Sequence, residues 1–199
     1  MSRKVFDILT STGGAVIVVV LLLAGGFLTW GYSTVHSNVR DQLAQQQIYF
    51  PPKAAFAHPK AGTEITPSMI PSVSQYAGQQ LLTGEQAKVY ANDFIRVHLS
   101  EMPYGGVYSK VSAAAMADPK NAQLETLVQT VFRGTTLRGL LLNAYGWSMV
   151  GTIMLYGAIA SFMLAAVMGV LVGLGFWHAH RTEEETELLK PKATPVPVA

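Results

Sequence analysis

Between Gly139 and Trp177 the chain carries no charged residue. Trp147 and Trp177 bracket the core of that run, and as helix it reaches about 46 Å, longer than the roughly 30 Å of a bilayer core, so it must tilt or project. A second uncharged stretch, from Gly13 to Tyr32, matches the bilayer thickness almost without excess. In lipid the backbone can hydrogen-bond only to itself, so helix is forced even on the β-branched run Val16–Val20, which resists it in water. Trp30 and Tyr32 stand where an interfacial aromatic belt belongs. A mean hydropathy of +0.29 with 13% charged residues fits the same class.

Arg3 and Lys4 precede the first run, which raises a cleaved signal peptide as the alternative. The run is too long for an ordinary signal core and no Ala-x-Ala site follows it, so an anchor is expected. Two spans put both ends on one side. Arg3 and Lys4, set against Arg40 alone after the first span, predict cytoplasmic ends; around the second span, Arg133 and Arg138 balance Arg181, Lys190 and Lys192. The expected architecture is an all-α membrane protein, two transmembrane helices flanking a small helical extracytoplasmic domain, in a bacterial plasma membrane. Its parts are a cytoplasmic N-terminus at 1–12, spans at 13–32 and 147–177, the outer domain at 33–146 with a Pro-rich arm at 50–71, and a cytoplasmic tail at 178–199.

The middle segment reads as short helices. Val35 to Ile48 is a polar helix with a thin apolar stripe, stopped by Tyr49-Phe50-Pro51-Pro52. Five prolines between Pro51 and Pro71, without periodicity, predict an extended arm lying over other surfaces. Ser72-Val73-Ser74-Gln75 has capping-box spacing and opens a helix to about Leu82. Thr83-Gly84-Glu85-Gln86 repeats it and opens the clearest amphipathic helix, to about Met102. The apolar face of that helix gathers Ala87, Tyr90, Ala91, Phe94, Ile95, Val97 and Met102, while Lys88, Asn92, Asp93 and Arg96 point away. Pro103-Tyr104-Gly105-Gly106 ends it. Val107 to Ala117 is helical, and Asp118-Pro119 supplies the N-cap and first-turn proline for a helix from Lys120, free to run past Gly134 and Gly139 into the second span. No strand pattern appears.

Within the second span Gly157, Ser161, Ala165, Gly169 and Gly173 recur every four residues. Such a row lets another helix backbone approach closely, and helix packing outweighs chance composition as its explanation. The first span offers Gly13, Gly14, Gly25 and Gly26, which leaves room for a foreign partner. Neither span holds an ionisable side chain, so a proton relay or ion path is not expected, and two helices cannot wall a pore.

Chemistry is sparse. The chain has no cysteine, which excludes disulfides, thiolate metal sites and covalent haem attachment. Its net charge of +2 is too small and dispersed for nucleic acid. His178 and His180 suit interfacial anchoring, His98 a packed interior site, and His36 and His58 stand alone, so no metal or cofactor is expected. No nucleophile elbow, phosphate-binding glycine loop or carboxylate pair is present, and no catalytic residue is assigned. Arg133 and Arg138, just above the second span, suit anionic phospholipid headgroups or the carboxylates of a partner as well as a plain solvated face. The end of the chain is acidic and then Pro-rich.

Val39-Arg40-Asp41-Gln42-Leu43, Phe50-Pro51-Pro52, Tyr76-Ala77-Gly78-Gln79, Val111-Ser112-Ala113-Ala114 and the run from Phe132-Arg133-Gly134-Thr135-Thr136-Leu137-Arg138 through Gly139-Leu140-Leu141-Leu142-Asn143-Ala144-Tyr145-Gly146 resemble a family of actinobacterial two-span membrane proteins. The resemblance covers roughly residues 10 to 175, and its last stretch is the most specific part. Members often bear the label of aromatic ring-opening dioxygenase, against which these residues argue, for they offer no iron site. One relative resembles an accessory subunit of the actinobacterial respiratory supercomplex, joining cytochrome bcc (complex III) to the aa3 oxidase (complex IV). The resemblance therefore implies a non-catalytic accessory subunit in electron transport, with bcc and aa3 subunits as partners. The alternatives are an independent envelope protein whose helical domain binds a ligand or partner, and a ring-opening enzyme.

Overall fold

Every regular element of the computed structural model is helical, and residues 3–60 and 62–181 are described. The order is α1 (Arg3–Gln45), α2 (Ile70–Val73), α3 (Gly84–Val89), a π-helical segment (Tyr90–Ile95), α4 (Arg96–Glu101), α5 (Tyr108–Ala117) and α6 (Ala122–Arg181). Short 3-10 turns occupy Lys53–Phe56, Pro67–Met69, Ser74–Tyr76 and Pro103–Gly106. α1 and α6 are both long and apolar enough to cross a membrane, with a mean hydropathy of 2.3 in their most apolar windows. The acidic and Pro-rich end of the chain, with Lys190 and Lys192, lies outside the described residues.

The chain divides into two compact units, residues 1–31 with 154–199, and residues 32–153. In the first, parts of α1 and α6 run antiparallel. Their enclosed positions recur at intervals of three and four. On α1 they include Ser11, Gly14, Val18, Leu21, Gly25 and Leu28; on α6 they include Ala158, Ser161, Ala165, Met168, Val172 and Gly175. Alternation of three and four is the 3.5-residue period at which two helices stay in contact in a left-handed pair. Small residues on one helix receive large ones from the other. A Cβ on Gly14 would lie 2.7 Å from Val172, on Gly25 2.8 Å from Phe162, on Gly31 2.9 Å from Met154, and on Gly157 3.2 Å from Leu28. Thr12 and Thr29 spend their hydroxyls on the carbonyls of Ile8 and Gly25, one turn back, so neither leaves an idle donor.

The second unit builds a core from chain segments rather than long helices. Leu43, Phe50, Ile65, Met69, Val73, Leu81, Ala87, Ala91 and Leu141 are buried. The polar helix expected from Val35 is not separate but the end of α1, which stops at Gln45 when Gln47 turns to a φ of 53°. Gln80 caps that end, its Nε2 donating to the carbonyl of Ala44. Beyond it, Tyr49 and Gln80 form a single antiparallel bridge, with Phe50 N–H on the carbonyl of Gln79 and Leu81 N–H on that of Ile48.

The segment 50–71 departs from the extended arm read from its prolines. It folds into two 3-10 turns and enters α2 at Ile70, because Phe50, Ile65 and Met69 must be covered, and Pro67 suits the first position of a turn. The expected helix from Ser72 to Leu82 starts two residues earlier and ends sooner: Gly78 at a φ of 74° stops it, and 79–81 turn to pair with 48–50. The box at Thr83 forms as read, with Thr83 Oγ1 accepting from Gln86 N–H and Gln86 Oε1 accepting from Thr83 and Leu82 N–H. The cap of α6 lies at Asn121 rather than Asp118. Its Oδ1 accepts from the N–H groups of Gln123 and Leu124, and its amide donates to Asp118.

Tyr104, Gly105 and Gly106 are left-handed in succession. A Cβ on Gly106 would meet the main-chain carbonyl of Leu99, whereas one on Gly105 meets open space. Gly105→Ala is therefore expected to lower stability by about 1 kcal/mol, the conformational cost alone. Gly106→Ala should lose at least twice as much, about 2 kcal/mol or more, from strain added to that cost. Thermal melting of both variants in detergent checks the ranking, and equal losses would contradict the close approach to Leu99.

Candidate functional site

The segment Gly84–Glu101 positions most of the polar chemistry in the second unit. Ala87, Ala91, Ile95 and Leu99 are its buried hydrophobic residues, spaced four apart. In a regular α-helix such a row drifts by about 40° per step. The wider π turn over Tyr90–Ile95 takes up part of that drift and keeps the row on the core. Tyr90, Phe94, Val97 and Met102, read as the apolar face, are partly buried beside it.

Against this row runs a ladder of rings. Phe50 lies 5.1 Å from Tyr76 and 5.2 Å from Tyr90, Tyr90 lies 4.8 Å from Phe94, and Phe94 lies 4.6 Å from His98, centroid to centroid. His98 closes the ladder with Nδ1 2.9 Å from the carbonyl of Phe94. That bond makes Nδ1 the protonated nitrogen and gives the ring a packing role. His36 stacks at 5.6 Å on Tyr32, and His58 is exposed. Among the described residues no three His, Asp or Glu side chains gather as metal ligands would.

The two arginines singled out in the sequence part company. Five residues on one helix separate them by about 140°, so they face different surroundings. Arg133 is exposed. Arg138 is partly enclosed, with Nη2 donating to Asn92 Oδ1 at 2.9 Å and Nε enclosed without an acceptor. Asn92, placed on the outward face by a plain helical wheel, is turned to Arg138 by the π segment. Its main-chain carbonyl also accepts from Arg96 Nε at 2.8 Å. One residue thus holds two guanidinium groups.

The small-residue row divides as well. Gly157 and Ala165 face α1 within the first unit, Ala165 almost fully buried, and Ser161 is half-buried. Gly169 and Gly173 meet nothing within 4 Å. A spacing of four drifts off a 3.5-residue seam by half a residue per step, so the row leaves the contact face as it descends. The glycines matched closely to a neighbour on the other helix include Gly14 and Gly25, two of the four the first span offered in sequence, and Gly31, which was not among them.

Sequence reading also missed Asp7. His178, taken for an interfacial anchor, has its Nδ1 3.8 Å from Asp7 Oδ2 in the first unit. The signal was available in the period, since Asp7, Ser11 and Gly14 share the 3.5-residue seam. No protein-family model, curated protein or solved structure matches the chain.

Two ionisable groups of the second unit are shifted. The Lys88 ammonium is held above its ordinary range by Tyr145, over whose ring it lies 4.8 Å from the centroid, and by the Glu85 carboxylate 3.8 Å away. Burial pushes the Tyr90 phenol above its ordinary 10.0, with the Glu64 charge adding to the effect. A raised folded-state value means that the neutral phenol stabilises the fold fully below about pH 10 and that this contribution fades as pH rises beyond it. Melting temperature is therefore expected to fall above pH 10, and Tyr90→Phe should flatten part of that fall. An unchanged slope in the variant would remove Tyr90 from the account.

Proposed function

We propose that the chain is a two-span membrane protein with cytoplasmic ends and an outer helical domain, acting as a non-catalytic accessory subunit of a respiratory supercomplex of the cytochrome bcc–aa3 oxidase type. The family resemblance of residues 10 to 175 supports the respiratory assignment. Arg3 and Lys4 against Arg40 support the orientation. The observation that carries a membrane-embedded partner is the outward surface of α6. Its most apolar window is only 6% buried, and Gly169 and Gly173 lie on it with open space above their backbones. A flanking helix can approach there as α1 approaches at Gly157. Redox chemistry in this reading belongs to the haem partners, since no catalytic motif appears in the sequence.

One observation favours the second reading, an independent envelope protein with a ligand- or partner-binding helical domain. The closely matched glycines of the first unit are satisfied within the chain, with Gly14 on Val172 and Gly25 on Phe162. A helix pair so matched is able to stand alone in lipid.

A mild-detergent pull-down on a C-terminal tag separates the two. Absorbance of a-, b- and c-type haems with partner bands in fixed stoichiometry is the expected result; a colourless eluate holding this chain alone would overturn the accessory-subunit reading. Gly169→Ile with Gly173→Ile is expected to lower haem recovery about tenfold, as the loss of a close helix contact worth some 1.4 kcal/mol would. Both positions have room within the chain, so its melting temperature is expected to hold.

A further inference from the structure

The partly buried guanidinium of Arg138 has a neutral amide as its one hydrogen-bond partner, and among the described residues no carboxylate lies within ion-pair distance of it. A charge withdrawn from water in this way is left uncompensated, and its enclosed Nε–H adds an unspent donor. Arg96, tied to the same Asn92, brings a second positive charge, which Asp93 at 4.0 Å offsets in part. Both arginines line a cavity of about 270 Å³, together with the hydroxyl side chains Ser100, Tyr108 and Thr135. Ser100 donates its hydroxyl proton to the carbonyl of Val97 and offers the cavity an acceptor only, so the hydroxyl donors are those of Tyr108 and Thr135.

We propose that this cavity binds a phosphate group, with Arg138 and Arg96 as its charged donors. Two guanidinium groups and the hydroxyls of Tyr108 and Thr135 offer more donors than the two oxygens of a carboxylate accept, and they suit the larger oxygen set of a phosphate. The phosphate can belong to a lipid headgroup or to a soluble phosphate compound. Arg138 precedes Trp147 by nine residues of helix, about 14 Å, beyond a headgroup layer of roughly 5–7 Å. The soluble source is therefore the expected one. That placement rests on the two-span reading; the binding itself does not.

Calorimetric titration of inorganic phosphate into the full chain in neutral detergent, at fixed ionic strength, tests the site. One saturable site is expected, weakened at least tenfold in Arg138→Gln and in Arg96→Gln and unchanged in Arg133→Gln. Arg96 is 60% exposed, so its variant keeps the test meaningful if Arg138→Gln fails to fold. In nanodiscs of phosphatidylglycerol, retained phosphate binding supports the site with a soluble source, and binding lost only there supports it with lipid phosphate. Absence of saturable binding in the wild type, an equal response to acetate, or unaltered binding in Arg96→Gln would overturn the proposal. Failure of the chain to enter nanodiscs would strike the membrane reading and leave the detergent titration standing.

Discussion

Two helices remain in contact over many turns only when their facing positions repeat at a common period, and in the first unit both repeat at 3.5 residues. In the two-span reading proposed above, lipid gives no hydrophobic reward for bringing them together, and association depends on dispersion at short range. That explains why the seam alternates absence and bulk: glycine at 14, 25 and 31 of α1 lies beneath Val172, Phe162 and Met154 of α6. Only without a Cβ can the facing side chain reach backbone distance. The remaining faces of these helices carry Leu23, Phe27, Ile153, Met163 and Val170, which are more than 60% exposed and have solvent properties suited to hydrocarbon.

The second unit is organised by a different force, the burial of scattered apolar side chains by a segment poor in regular structure. Phe50 is its pivot, 2% exposed and touching both Tyr76 and Tyr90. The short bridge beside it satisfies main-chain groups at Phe50 and Leu81 that a loop alone would leave idle. Gln86 performs the same task with a side chain, accepting from Leu82 and Thr83 and donating to Gln79.

What could be read from sequence followed the strength of the local signal. Two uncharged runs announced two long helices, and the Thr83 box announced a helix start that the structure keeps. Boundaries governed by tertiary contacts were not legible. The helix from Ser72 was cut short at Gly78 because residues 79–81 were needed opposite 48–50, a demand from thirty residues away. The site around Arg138 was half legible. Arginine above a span drew notice, but its partner Asn92 was hidden by a π turn that no wheel drawn at 100° per residue can show.

That π turn has an evolutionary consequence. It holds one residue more per turn than an α-helix needs, and the surplus sits between the capped start at Thr83 and the buried Leu99. Removing a residue there would restore an α-helix without turning its ends: eleven steps at about 100° bring Ala87 and Leu99 back to within about 20° of one face. What such a deletion takes away is the bulge itself, and with it the position that sets Asn92 against Arg138 and Arg96. A deletion elsewhere between Thr83 and Leu99 has no surplus residue to consume and turns part of the buried row off the core. Drift in length is therefore tolerated by the apolar row only between residues 90 and 95, at the expense of the arginine contacts.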